Sequence, residues 1–122
     1  MLFDTDVLIW IQRGSRGAAN LVDADTDPAI SAFCYMELLQ GASDRMQQRA
    51  TRTFLRDVGF RILPLTEAIS RRATVYVEEY ALSHGLRAGD ALVAATATES
   101  ALILCTSNAK HFRPIRELQL KV

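Results

Sequence analysis

Short apolar runs of strand type alternate with helical patterns from one end of this chain to the other, and that alternation restricts the fold more than any other property. Strand-type segments occur at Met1 to Asp4, "AISAF", "FRILPL", "LILCT" and "LQLKV". Between them lie the helical spacings of "VLIWIQR" up to Gly14, a short helix within "GSRGAANLVDADTDP", and "FCYMELLQGA" ended by Gly41. Further helices run from Asp44 to Val58, from Thr66-Glu67 to a stop at Gly85, and through the small-residue stretch "GDALVAATATESA", with one more turn in "NAKHFRPI". A strand that must return over a helix reaches a parallel neighbour, so this order predicts a central parallel β-sheet flanked by helices on both faces. The uninterrupted apolar run "LILCT" fits a strand covered on both sides. With no repeat, low-complexity tract or linker, the expectation is one α/β domain over residues 1–122.

The formal net charge is zero, so no polyanion partner is advertised by the overall field, and any such partner must be recognised by a local patch. Cys34 and Cys105 sit in apolar surroundings without metal-ligand or redox spacing and read as buried thiols of a reducing compartment. No run is long and apolar enough to span a bilayer, and the first residues lack a secretory pattern, which makes a cytoplasmic location the expectation.

Against this background the opening "MLFDTDVLIW" is anomalous, because it sets Asp4 and Asp6 inside the most apolar stretch near the start. An unpaired buried charge costs several kcal/mol unless it changes its pKa, finds a partner or holds a metal. Thr5 or Asp6 reads as the cap of the first helix and Asp90 as the cap of a later one, a role that contributes about 1 kcal/mol. Asp4 precedes the expected cap, and Glu37 stands between Met36 and Leu38 in a helix with no other charge; an ion pair with an arginine is the plainest structural explanation for both.

In an open parallel sheet, sites form beyond the carboxyl ends of the strands, where helices also begin. Asp4, Glu37, Asp90 and the "TSN" of Thr106 to Asn108 are thereby expected at one edge. Carboxylates about 4 Å apart repel by roughly 4 kcal/mol at an effective dielectric near 20, so gathering them calls for protons or a cation. Oxygen donors without a Cys or His set select hard ions, Mg²⁺ or Mn²⁺.

In "LFDTDVLI", "SAFCYMELLQG", "GLRAGDALVAATA" and "LILCTSNAKHF" the chain resembles, block by block and in order, the PIN-domain ribonucleases of the toxin type found in VapBC toxin–antitoxin pairs. That resemblance implies a Mg²⁺- or Mn²⁺-dependent endoribonuclease with Asp4, Glu37 and Asp90 as catalytic acids and metal ligands. Asn108 falls where many members carry a fourth acid, which leaves the number of metals open. The resemblance also gives Thr5 and Thr106 as supporting hydroxyls, and Asp6 reads as a cap or a residue behind the metal ligands. Hydrolysis would leave a 5′-phosphate and a 3′-hydroxyl. The same likeness implies an antitoxin whose tail lies in a groove near Leu8, Ile9, Trp10 and Ile11, with Trp10 as an anchor, and a homodimer.

On the Asp44 to Val58 helix, Arg45, Arg49, Arg52 and Arg56 form one stripe, a candidate track for RNA phosphates or a plain solvated face, with Met46, Ala50, Phe54 and Val58 expected on the opposite, buried side. Two other functions remain in view. A catalytically silent PIN fold that only binds antitoxin or RNA is kept open by Asn108. "DTDVL" also resembles the opening of haloacid-dehalogenase-type phosphatases, although the later lysine and acidic pair of that family are missing.

Overall fold

The computed structural model describes residues 1–122. Its strands β1 (Leu2–Phe3), β2 (Ala29–Ser31), β3 (Arg61–Leu63), β4 (Leu104–Cys105) and β5 (Leu120–Lys121) form one sheet in the order β3-β2-β1-β4-β5. Every pairing is parallel, with Leu2 opposite both Ala29 and Leu104. Helices α1 (Thr5–Gln12) and α2 (Arg16–Asp23) connect β1 to β2, and α3 (Ala32–Gln40) and α4 (Arg45–Val58) connect β2 to β3. Helices α5 (Glu67–His84) and α6 (Ala88–Glu99) carry the chain back across the sheet to β4, and a 3₁₀ turn at Ala109–His111 precedes β5. The chain thus builds outward in one direction and then in the other. Right-handed crossovers in opposite directions clothe both faces with helices, as the alternation predicts.

That reversal makes the gap between the carboxyl ends of β1 and β4 the topological switch point, where open α/β sheets form their sites. Leu2 and Phe3 have no exposed surface, so the strand feeding the switch point is anchored in the core. The strands are shorter than the apolar runs suggest. β3 stops before Pro64, which has no N–H to donate to a ladder.

Two helix starts differ from expectation, and both differences concern acids. The cap of α1 is Asp4 itself: its backbone N–H still bonds Cys105 O in the sheet at 2.9 Å, while its Oδ1 accepts the Thr5 N–H at 2.8 Å. Strand therefore passes into helix across a single residue, and neither Thr5 nor Asp6 is needed as a cap. Nor does Asp90 cap α6. After Gly85 turns the chain at φ 69°, Leu86 drops into the core, Arg87 takes the cap position without a side-chain bond, and Asp90 falls in the first helical turn. An acid there is favoured by the helix dipole without closing the helix end.

On α4 the buried residues are Thr51 and Leu55, flanked by partly buried Phe54 and Val58. Met46 is 80% exposed and Ala50 is exposed as well, contrary to the apolar face expected from spacing. The helix packs against α3 at an edge of the molecule, so only a narrow ridge is covered. At the other end of α3, Phe33 lies against Gly89: a β-carbon on Gly89 would come within 2.7 and 2.9 Å of the Phe33 ring, so the turn carrying Asp90 can approach α3 only with glycine at that place.

Candidate active site

The centre of the site is the Asp4 carboxylate. Its Oδ2 accepts a hydrogen bond from the fully buried Thr106 hydroxyl at 3.0 Å, and the Cys34 thiol stands 3.9 Å from Oδ1. Burial, the neighbouring Asp6 charge and the Asp90 charge together push the Asp4 carboxyl up to about 6, against the opposing pull of the Thr106 and Thr5 hydrogen bonds. Burial and the same Asp4 charge push the Cys34 thiol up to about 11, which keeps it protonated. The ion pairs of the molecule all lie elsewhere, and none includes Asp4, Asp6, Glu37 or Asp90. An arginine partner, the plain structural explanation for Asp4 and Glu37, is therefore ruled out.

Asp6 faces the loop after β4. Its Oδ2 accepts from the Ser107 N–H at 3.0 Å and from the Ser107 hydroxyl, while the Thr106 hydroxyl lies 3.3 Å away; its Oδ1 is buried without a partner. Asp6 thus ties the start of α1 to the end of β4 and holds Thr106 beside Asp4. In the sequence Ser107 is marked only as the middle of the "TSN" run after an apolar strand, with no role of its own. Asn108 donates its backbone N–H to Thr106 Oγ1 at 3.0 Å, and the residue is exposed at the rim, at the cap position of the 3₁₀ turn.

Glu37 reaches the site through a neighbour. It is exposed on α3, and its Oε1 accepts from the Thr5 hydroxyl at 2.8 Å. No three carboxylate, thiol or imidazole groups are gathered to hold a metal ion. Direct closure of Asp4, Glu37 and Asp90 on one dication is accordingly not what their side chains do, because like charges spread onto hydroxyl and amide donors: Glu37 onto Thr5, and Asp4 onto Thr106 and the Thr5 amide. The donor set nevertheless suits Mg²⁺ or Mn²⁺. Asp4 and Asp90 are within electrostatic reach of each other, all donors are oxygen, and no protein cation offsets them. Mg²⁺ is usually bound by one or two carboxylates, with water and substrate oxygens completing its shell.

A groove of 850 Å³ runs from this site between α1, α3 and α4. Ile9, Ile11, Leu38 and Phe54 give it apolar walls, with Thr5 and Glu37 at the end beside Asp4. Leu8 is buried in the core and Trp10 lies on another side of α1, so of the four residues expected at such a groove only Ile9 and Ile11 line it. At 100° per residue, Arg45, Arg49, Arg52 and Arg56 face away from the side of α4 that carries Gln47, Ala50, Thr51 and Phe54 into the groove. All four arginines are exposed, and the geometry matches a solvated face.

The model of the PIN domain family matches residues 1–118. Ribonuclease VapC10 of Mycobacterium tuberculosis is 37% identical over 123 aligned residues, covering 98% of this chain and 90% of that protein. Among solved structures, a toxin–antitoxin complex from Klebsiella pneumoniae contains a chain with a TM-score of 0.83 and 32% identity, covering 99% of this chain and 95% of that one. VapBC2 from Rickettsia felis, bound to a DNA fragment from its promoter, superposes with a TM-score of 0.82 at 22% identity over 98% and 96% of the two chains, a likeness of fold. The phosphatase reading of "DTDVL" is overturned by the PIN match. It also conflicts with the geometry, since Asp6, which would have to be a general acid, is committed to Ser107 and Thr106.

Proposed function

The chain belongs to the PIN domain family, and from that premise we propose that it is an endoribonuclease, the toxin of a toxin–antitoxin pair, hydrolysing RNA phosphodiester bonds with Mg²⁺ or Mn²⁺. The observation that carries this reading is the Asp4 carboxylate: buried at the switch point, raised to about 6 by burial and by Asp6 and Asp90, and without a protein cation. A fold does not maintain such a group for stability.

Asp4 and Asp90 would hold the ion, with Glu37 joining through water. When bound, a dication of this kind supplies charge neutralisation at the scissile phosphate and a more acidic water. The chain's own residues do the positioning. Thr106 orients Oδ2 of Asp4, the Thr5 amide orients Oδ1, and Asp6 with Ser107 fixes the loop from which Thr106 projects. Thr5 holds Glu37 toward the groove end. The amides in the first turn of α6, which has no side-chain cap, are free to meet a phosphate oxygen. Asn108 at the rim can orient a water through its amide.

The groove beside Glu37 supports an antitoxin segment as partner: it leads from apolar walls to the acids, so a bound segment would cover the site. VapC10 carries the name of a ribonuclease, and several of the solved relatives are toxin–antitoxin complexes. The antitoxin-free protein, incubated with total RNA, should cut only with Mg²⁺ or Mn²⁺ and leave 5′-phosphate and 3′-hydroxyl ends. Asp4→Asn and Asp90→Asn should remove the activity without unfolding the chain. Cleavage without metal, or ends carrying a 2′,3′-cyclic phosphate, would overturn the assignment.

A further inference from the structure

Trp10 is the only tryptophan of the chain, and it is 48% exposed although it lies in the most apolar helix of the first third. It lines an apolar notch of 310 Å³ together with Val7, Ala18 and Leu21. The remaining wall includes Thr106 and Ser107, the two residues whose hydroxyls bond Asp4 and Asp6. Arg13, which also lines the groove on the other side of α1, stands beside the half-exposed indole with its guanidinium carbon 5.9 Å from the ring centroid.

We infer that this notch is a subsite for a nucleobase of the RNA, next to the scissile phosphate, with Trp10 as its stacking surface and Arg13 as the cation for the neighbouring phosphate. The inference rests on the ribonuclease reading. Three features select a nucleotide as the occupant. The notch shares the Thr106 and Ser107 wall with the site, so an occupant sits directly behind the side chains that position Asp4 and Asp6. An aromatic face within an apolar recess accepts any base, since every base has a π-face, whereas pairing by hydrogen bonds needs polar side chains, and this notch offers only Thr106, Ser107 and Ser15, whose hydroxyl already accepts from the Ala18 N–H. Arg13 places a positive charge beside the ring, where a polyanion backbone would leave the stacked base. The apolar groove on the other side of α1 has a different character and leads to Glu37. Antitoxin and RNA thereby approach the acids from two sides.

Because Trp10 is alone in the sequence, its fluorescence reports the notch directly. A six-nucleotide, 2′-O-methyl, dye-labelled RNA that cannot be cut is titrated into the full-length protein, following dye anisotropy and Trp10 emission together. The expected result is quenching that saturates with the anisotropy signal. Trp10→Ala should weaken binding about tenfold and Trp10→Phe less, in line with alanine substitutions at base-stacking aromatics. Replacing one nucleotide of the oligomer by an abasic unit should cost the wild type a similar factor and cost Trp10→Ala nothing. Anisotropy showing binding with unchanged Trp10 emission, or equal affinities for wild type and Trp10→Ala, would overturn the inference while leaving the nuclease intact. So would a Trp10→Ala chain that merely changes from dimer to monomer in sedimentation, which would make the notch a contact between copies. Loss of metal-dependent cleavage by the wild type itself would instead bring down the reading beneath it.

Discussion

Two clusters of acids in this protein are treated in opposite ways. Near the ends of α5 and α6, Arg72 bonds Glu117 at 2.7 Å and Glu99 at 3.4 Å, and the Tyr76 hydroxyl joins both Glu117 and Thr98. Tyr76 and Arg72 hold the Glu117 carboxyl below its ordinary range. At the carboxyl edge of β1 and β4, Asp4 feels the charges of Asp6 and Asp90 with no cation paired to any of them, and it is raised to about 6. The first cluster contains its own counter-charge and is finished as folded; the second is finished only by something from outside. Composition does not explain the contrast, since arginines are plentiful and several stand idle on the exposed face of α4. The difference marks the site.

The sharpest way to break the comparison is Asp4→Asn. Asparagine keeps an acceptor for the Thr5 amide and removes the charge, so cleavage should fall by about a thousandfold. The cation-free protein should at the same time become more stable by about 2 kcal/mol, several degrees in a melting curve. A variant equally inactive but less stable would mean that Asp4 is a structural acid like Glu117. Next comes Gly89→Ala, whose β-carbon meets the Phe33 ring. Moving the Asp90 turn outward should cost about 1–3 kcal/mol in stability and lower cleavage more than tenfold. Phe33→Leu in the same chain should restore a large part of both.

Titration separates the clusters by sign. The Asp4 pKa is higher folded than unfolded, so its stabilising contribution is complete below about 3.8 and is lost as pH rises through about 6. Denaturant unfolding of the cation-free wild type should therefore gain up to about 3 kcal/mol relative to Asp4→Asn between pH 7 and pH 4. Glu117 runs the other way: its contribution is present above 4.5 and is lost as pH falls through its lowered folded value. The smallest effect belongs to Arg72→Met, which should cost about 1 kcal/mol, typical of partly exposed pairs, and leave cleavage unchanged.

Much of this arrangement is legible in the sequence because parallel sheets make their demands locally. Strand runs, the helix from Asp44 to Val58, the helix start at Thr66-Glu67 and the stop at Gly85 each depend on a few neighbouring residues, and all appear where the spacing puts them. That Asp4, Glu37 and Asp90 belong to segments at the carboxyl edge follows from topology; that their side chains stay apart, Glu37 on the Thr5 hydroxyl, does not. What does not follow is which residue begins a helix when several acids compete for the same place. Asp4 serves sheet, cap and site at once, and Leu86 starts α6 early by burying itself. The role of Ser107 within "TSN" is not legible because its partner, Asp6, lies about a hundred residues away. The inward face of α4 is misjudged for a related reason: spacing shows that a helix has two sides but not how much of one side a neighbour covers, so Met46 reads as core and stays in solvent.

Calorimetric titration of the antitoxin-free protein with Mn²⁺ at pH 7, wild type beside Asp4→Asn and Arg72→Met, tests most directly whether the acids at the switch point exist to gather a cation. Saturable binding by wild type and Arg72→Met, lost in Asp4→Asn, is the predicted result. Heats of dilution alone from the wild type, or equal binding by all three chains, would contradict it.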